Sequence, residues 1–186
     1  MKNVLLLIID PQNDFTNPHG AYAGRHGIEQ ITEAIAKINM VIGTKLVQNH
    51  AIVYADYKPD QFEKGLLIGI PNTFGHLINA NLLVDEQFIR FAKNEHSCFS
   101  STNFKHFLKN KGFHLILACG FLAEYCVAQT GLDALNEGYK MTLIGDCIGT
   151  GDDVQYRKAA MFANMRKAGA DIIDSADLSS YLSNLH

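Results

Sequence analysis

With 186 residues, the chain has the length of one ordinary domain and can bury a full core without disulfides or a structural metal. Apolar residues make up 47% and charged residues 19%, which excludes disorder. A net charge of −3, with no Lys/Arg cluster interleaved with aromatics, argues against nucleic acid as a partner.

Val4 to Ile9 is a continuous apolar run, expected of a parallel strand buried on both faces. It is far too short to cross a membrane. The segment also lacks the cationic start and cleavage site of a signal peptide, so no membrane partner is expected and the cytosol is the expected compartment. Apolar residues from Ile28 to Leu46 then recur every three or four positions, which predicts a long helix, and Ala51 to Ala55 predicts a second strand. From Lys58 to about Asn81 the pattern weakens around Pro59, Gly65, Gly69, Pro71 and Gly75, predicting a long loop with one helical turn near its end.

A short strand over Phe88 to Ala92 delivers Lys93 at its end, and Ser101 or Thr102 can cap a helix that stops at Gly112. His114 to Cys119 is the next strand and Glu124 to Gly138 the next helix. Met141 to Ile144 predicts another strand. Asp152 or Asp153 is placed to cap a helix to Ala168, Ile172 and Ile173 mark a last strand, and Ser175 can cap a terminal helix. This alternation predicts a single α/β domain, a three-layer, doubly wound, mainly parallel sheet with helices on both faces. Ligands in such sheets bind beyond the carboxyl ends of the strands.

Asp10, Lys93 and Cys126 each lie at such an end or in the turn that follows it. Cys126 sits near a helix start, where free N–H groups and the helix dipole favour a thiolate. A nearby carboxylate can take a thiol proton, and an ammonium can hold that carboxylate charged. Taken singly, each residue has an ordinary alternative: a packed core thiol, a strand-end carboxylate capping amides, a solvated lysine. Cys98, Cys119 and Cys147 form no CxxC pair with it and read as reduced structural thiols.

The surrounding residues weight these alternatives. Asp10-Pro11-Gln12-Asn13-Asp14-Phe15 resembles the D-x-Q-x-D-F opening of the isochorismatase-like cysteine hydrolase superfamily, which includes nicotinamidases. Lys93 with Phe99 and Thr102 is similar to its K…F-x-x-T segment. Gly120 to Val127, followed by Thr130, Asp133, Ala134, Gly138 and Tyr139, is similar to its G-x-x-x-x-x-C-V…T…D-A…G-Y block, and Asp146 to the aspartate after the next strand.

The resemblance implies an Asp10-Lys93-Cys126 triad that opens an amide by way of a thioester, with Asp10 as base and then acid. It implies backbone N–H donors for the oxyanion at Leu122 and Cys126, and a cis peptide between Phe121 and Leu122. It places Phe15 at a substrate pocket, with core packing the equal alternative. Tyr57, Phe121 and Tyr125 are further pocket candidates by position, and packing explains them equally well. Homo-oligomers are common in the superfamily, so one is expected here.

One departure is specific. Nicotinamidases hold a metal partly through an Asp-x-His segment after the second strand, where this chain has Asp56-Tyr57-Lys58. A lysine ammonium donates only, so neither a metal nor any other cofactor is expected. That shifts the expected substrate toward a small amide, ureido or carbamoyl compound. His76 and His96 lie close enough to the site loops to be possible substrate contacts, and a solvent-facing place is the simpler reading for both. Isochorismatases cleave a vinyl ether without a cysteine here, so Cys126 favours amide chemistry. The competing readings are a non-catalytic binding protein of the same fold and an oxidant-sensing thiol. No GxGxxG follows the first strand and no P-loop or GxSxG motif occurs.

Overall fold

The computed structural model describes residues 3–185. In chain order it contains β1 (Val4–Ile9), α1 (Asn13–Thr16), α2 (Ala23–His26), α3 (Glu29–Gly43), β2 (Asn49–Ala55), β3 (Ile89–Lys93), α4 (Thr102–Lys111), β4 (Leu115–Phe121), α5 (Ala128–Asn136), β5 (Lys140–Gly149), α6 (Gln155–Ala168), β6 (Asp171–Ile173) and α7 (Leu178–Ser183). The six strands form one sheet in the order β3-β2-β1-β4-β5-β6, and every pairing is parallel. Among the described residues, no helix is long and apolar enough to cross a membrane.

The unbroken apolar run of β1 follows from its central place. Leu6 and Ile8 enter one core layer with Ile31, Ile38, Ile52 and Leu117, while Leu5, Leu7 and Ile9 enter the other with Val53, Phe104, Ile116 and Met141. Successive side chains of a strand point to opposite faces, so both faces must be apolar. Strand order reverses between β1 and β4, and the crevice at that reversal opens at their carboxyl ends.

Two devices hold that edge. Gly120 has φ +119°, and a Cβ there would lie 2.2 Å from the Ile9 carbonyl oxygen, so only glycine lets β4 run this close to β1. Gln12, fully buried, donates from Nε2 to the Ala55 carbonyl (2.8 Å) and accepts from the Ala55 N–H at Oε1 (2.7 Å), fastening the end of β1 to the end of β2.

Several expectations are corrected. No helical turn forms between Lys58 and Asn81; His76 N–H to Thr73 O and Leu77 N–H to Phe74 O close isolated turns instead. Asp152 does not cap the helix that follows it. Its carboxylate accepts from Glu29 and Gln30 N–H (2.8 and 2.9 Å) and so caps α3 across the chain, while Asp153 pairs with His26. Ser175 gives its hydroxyl to Asp146 rather than capping α7, and Asp146 lies inside β5, which runs on to Gly149. Ser101 does cap α4, through Phe104 N–H.

Candidate active site

Asp10 follows β1 directly, with φ +47°, a left-handed conformation that carboxamide and carboxylate residues tolerate best. Its N–H still bonds Val53 O (2.9 Å), and the turn there aims the side chain inward, with no exposed surface. Lys93 ends β3 and is 2% exposed, and Cys126 is 3% exposed. Cys126 lies in a π-helical turn, Ala123–Val127, in which Val127 N–H reaches back to Leu122 O. The Phe121–Leu122 peptide just before it is cis. Among the described residues the Leu122 N–H has no acceptor.

The Lys93 ammonium lies 3.0 Å from Asp10 Oδ2. Its directed hydrogen bonds go elsewhere: to Tyr57 Oη (2.6 Å), Glu95 O (3.0 Å) and Cys126 Sγ (3.4 Å). All three ammonium hydrogens are thereby used, and neither Asp10 oxygen receives a directed hydrogen bond. A fully buried carboxylate with free lone pairs beside a thiol is an available proton acceptor. Tyr57 Oη is also 3.6 Å from Sγ, and His96 Nδ1 is 3.8 Å from it.

Burial pushes the Asp10 carboxyl above its ordinary 3.8, with Lys93 and the Cys126 thiol opposing the rise. Burial also disfavours the charge on Lys93, but Asp10 and Cys126 outweigh it and the ammonium titrates above its usual value. Burial, then the Asp10 carboxylate, push the Cys126 thiol up. Burial thus opposes charge on both Asp10 and Cys126, and the Lys93 ammonium is the cation that favours charge on either. Tyr57 is held neutral by burial and by the Asp10 charge.

The structure brings Asp10, Lys93, Cys126, Tyr57 and His96 together. Of the other candidates, Phe15 and Phe121 lie in the core and Tyr125 borders His96. Phe121 has no exposed surface, and its ring packs beneath Gly149 with Ile31; Phe15 lies in the same core layer. Both are buried in that apolar layer. Tyr125 is 43% exposed and its ring leans on His96 at 5.5 Å. His76 sets its ring edge against Tyr54 and its carbonyl accepts from Gln12, so it holds the loop. His96 is the residue that sequence reasoning weighed as a substrate contact and set at the surface. Its spacing three residues beyond Lys93, in a turn pinned by Cys98 N–H to Thr130 Oγ1, was the available signal.

Asp14, from the opening motif, is buried and acts at a distance from the sulfur. Its carboxylate accepts from Ala21 N–H (3.1 Å) and Gly69 N–H (2.8 Å), which ties the loop after α1 to the loop between β2 and β3. Cys98 is pushed up to about 12 by burial, and Cys119 and Cys147 are likewise buried free thiols.

An isochorismatase-domain family model matches residues 4–177. The chain belongs to the isochorismatase family. It is 27% identical to the nicotinamidase of Escherichia coli (strain K12) over 168 residues, covering 86% of this chain and 70% of the relative. An isochorismatase family protein from Desulfovibrio vulgaris superposes with a TM-score of 0.80 at 19% identity, covering 99% of this chain and all of that one. N-carbamoylsarcosine amidase from Thermoplasma acidophilum gives 0.75 at 23% identity, covering 94% and 97%. These two share the fold of the isochorismatase family member described here.

Zinc accompanies one solved relative, the pyrazinamidase of Pyrococcus horikoshii. The residues after β2 here do not fit a nicotinamidase-type metal. Tyr57 turns to Lys93 and Cys126, Lys58 is exposed with a donor-only ammonium, and no group of three or more metal-ligating side chains occurs among the described residues.

Proposed function

We propose that the chain is a metal-independent cysteine amidohydrolase that cleaves a C–N bond of a small amide, ureido or carbamoyl compound. The observation that carries this reading is the buried cluster in which the unbonded Asp10 carboxylate and the Lys93 ammonium flank Cys126 Sγ. Asp10 takes the thiol proton as sulfur attacks the carbonyl carbon. Lys93 stays charged throughout, so the negative charge passing from Asp10 to sulfur never loses its counter-ion. Charge then develops on the carbonyl oxygen, where the free Leu122 N–H and the Cys126 N–H are the donors. Asp10 returns the proton to the leaving nitrogen, and water opens the thioester.

Two relatives named for amide hydrolysis, the nicotinamidase and the N-carbamoylsarcosine amidase, support the bond class. Ammonia release measured across primary amides, ureido compounds and carbamoyl compounds tests it. The wild type is expected to release ammonia from members of one of these classes without added divalent metal and with unchanged rate in the presence of a chelator. Silence across all three classes, or a rate that collapses with the chelator, would overturn the proposal.

A further inference from the structure

Asp10 and His96 approach the nucleophile in different settings. Asp10 has no exposed surface, whereas His96 is half-buried and lines a surface cavity of about 530 Å³ with Glu95, Ser97, Lys105 and Gln129. The imidazole is held in a fixed pose. Phe62, from the loop between β2 and β3, stacks on it at 4.3 Å with 13° between the planes, and Tyr125 leans on it from the nucleophile turn. Nδ1 is thereby kept 3.8 Å from Sγ.

Once an acyl group sits on sulfur, the two bases are no longer equivalent. Asp10 has given its proton to the departing nitrogen and lies, with no exposed surface, at the end of β1. Of the polar groups around the sulfur, Asp10, Tyr57 and Lys93 are buried and His96 is half-buried, so an incoming water meets the imidazole first. We propose that His96 is a second catalytic base, the one that activates the hydrolytic water against the Cys126 thioester. This assignment rests on the thioester reading given above and divides its two halves between Asp10 and His96.

The step balances. A water oxygen bonds to the thioester carbon as His96 Nδ1 takes one water proton. The tetrahedral intermediate collapses with cleavage of the C–S bond, whose electron pair returns to sulfur. Nδ1 then passes its proton to Sγ, so a carboxylic acid leaves and the Cys126 thiol is restored. Burial and the nearby Lys93 ammonium keep the imidazole neutral, the form this step needs.

Acetylation by p-nitrophenyl acetate tests the assignment without a known substrate, because p-nitrophenolate needs no proton to leave. The wild type is expected to show a burst of p-nitrophenolate, with an acetyl adduct on Cys126 that decays. In His96→Gln the burst remains and the adduct decays roughly 100-fold more slowly. His96→Phe, which keeps an aromatic face for Phe62, is expected to match His96→Gln, and added imidazole to speed adduct decay in His96→Gln. An adduct that decays equally fast in wild type, His96→Gln and His96→Phe overturns the assignment of His96 alone. Loss of the burst in both variants, or slow adduct decay that imidazole leaves unrelieved, also overturns it and marks His96 as a packing residue. Absence of any Cys126 adduct in the wild type overturns the thioester reading and this one with it.

Discussion

Asp10→Asn lowers kcat/KM on an amide substrate by roughly 10³- to 10⁴-fold, because one carboxylate performs both proton transfers of acylation. Asparagine is the appropriate replacement. Asp10 holds φ +47°, a conformation asparagine adopts readily, and the carboxamide keeps the size of the carboxylate in a site with no free surface. Alanine would mix backbone strain with lost chemistry. Asparagine can accept from Lys93 but cannot carry a proton to a leaving nitrogen. The deficit is therefore expected to shrink with the leaving group: on p-nitrophenyl acetate, whose phenolate departs unprotonated, the variant loses less than on an amide. Steady-state kinetics on both substrates checks this. An equal loss on both, or an amide rate within tenfold of wild type, would remove Asp10 from its role as acid and base.

Lys93→Met is expected to cost about 3–5 kcal/mol of stability at neutral pH, since it leaves the Asp10 carboxylate buried with no counter-charge and no hydrogen bond. For a chain of this size that lowers Tm by roughly 10 °C. The dependence on pH has a definite sign. Burial already holds the Asp10 carboxyl above 3.8, and the Lys93 charge opposes the rise, so the variant raises it further. The folded variant then binds its proton more tightly than the unfolded chain, and its stability falls as pH rises from about 4 through that raised value. Melting curves at several pH values should show the two proteins nearly matched in acid and diverging toward neutrality. A Tm difference of constant size across that range would contradict the charge account. Turnover in the variant is expected to be lost together with the ionised base.

Most of the sheet was legible because a parallel strand buried on both faces writes an unbroken apolar run, as Val4–Ile9 and Leu115–Phe121 do. Boundaries went astray where polar or small residues continue a strand. The strand was expected to end at Ile144, yet β5 passes on through Gly145, Asp146 and Cys147 alongside a register shift between Ala118 and Gly120, and Ile148 and Gly149 resume pairing with β4. Caps were legible only when local. Ser101 lies one residue before its helix and caps it, whereas Asp152 caps α3 from more than a hundred residues away, a contact no local pattern encodes.

The same distinction runs through the candidate site. Asp10, Lys93 and Cys126 could be singled out because each lies at or just beyond a strand end, and parallel topology brings such ends to one edge. The polar surroundings of the sulfur were less legible. Tyr57 was weighed as a pocket aromatic, but its hydroxyl takes a hydrogen bond from Lys93 and lies 3.6 Å from Sγ. His96 looked like one of eight scattered histidines until the turn after β3 and the Phe62 stack placed its ring against Cys126. At the sulfur, burial and an adjacent carboxylate oppose the negative charge that the helix start and Lys93 favour.

The central claim is that carbonyl carbon becomes bonded to Cys126 during amide turnover. Rapid acid quench of the wild type turning over an amide it hydrolyses, followed by peptide mapping, measures this directly. The account predicts an acyl adduct confined to the peptide containing Cys126, absent from Cys126→Ala, which releases no ammonia from that amide. Ammonia release that continues in Cys126→Ala, or an adduct on Cys98, Cys119 or Cys147 instead, would contradict it.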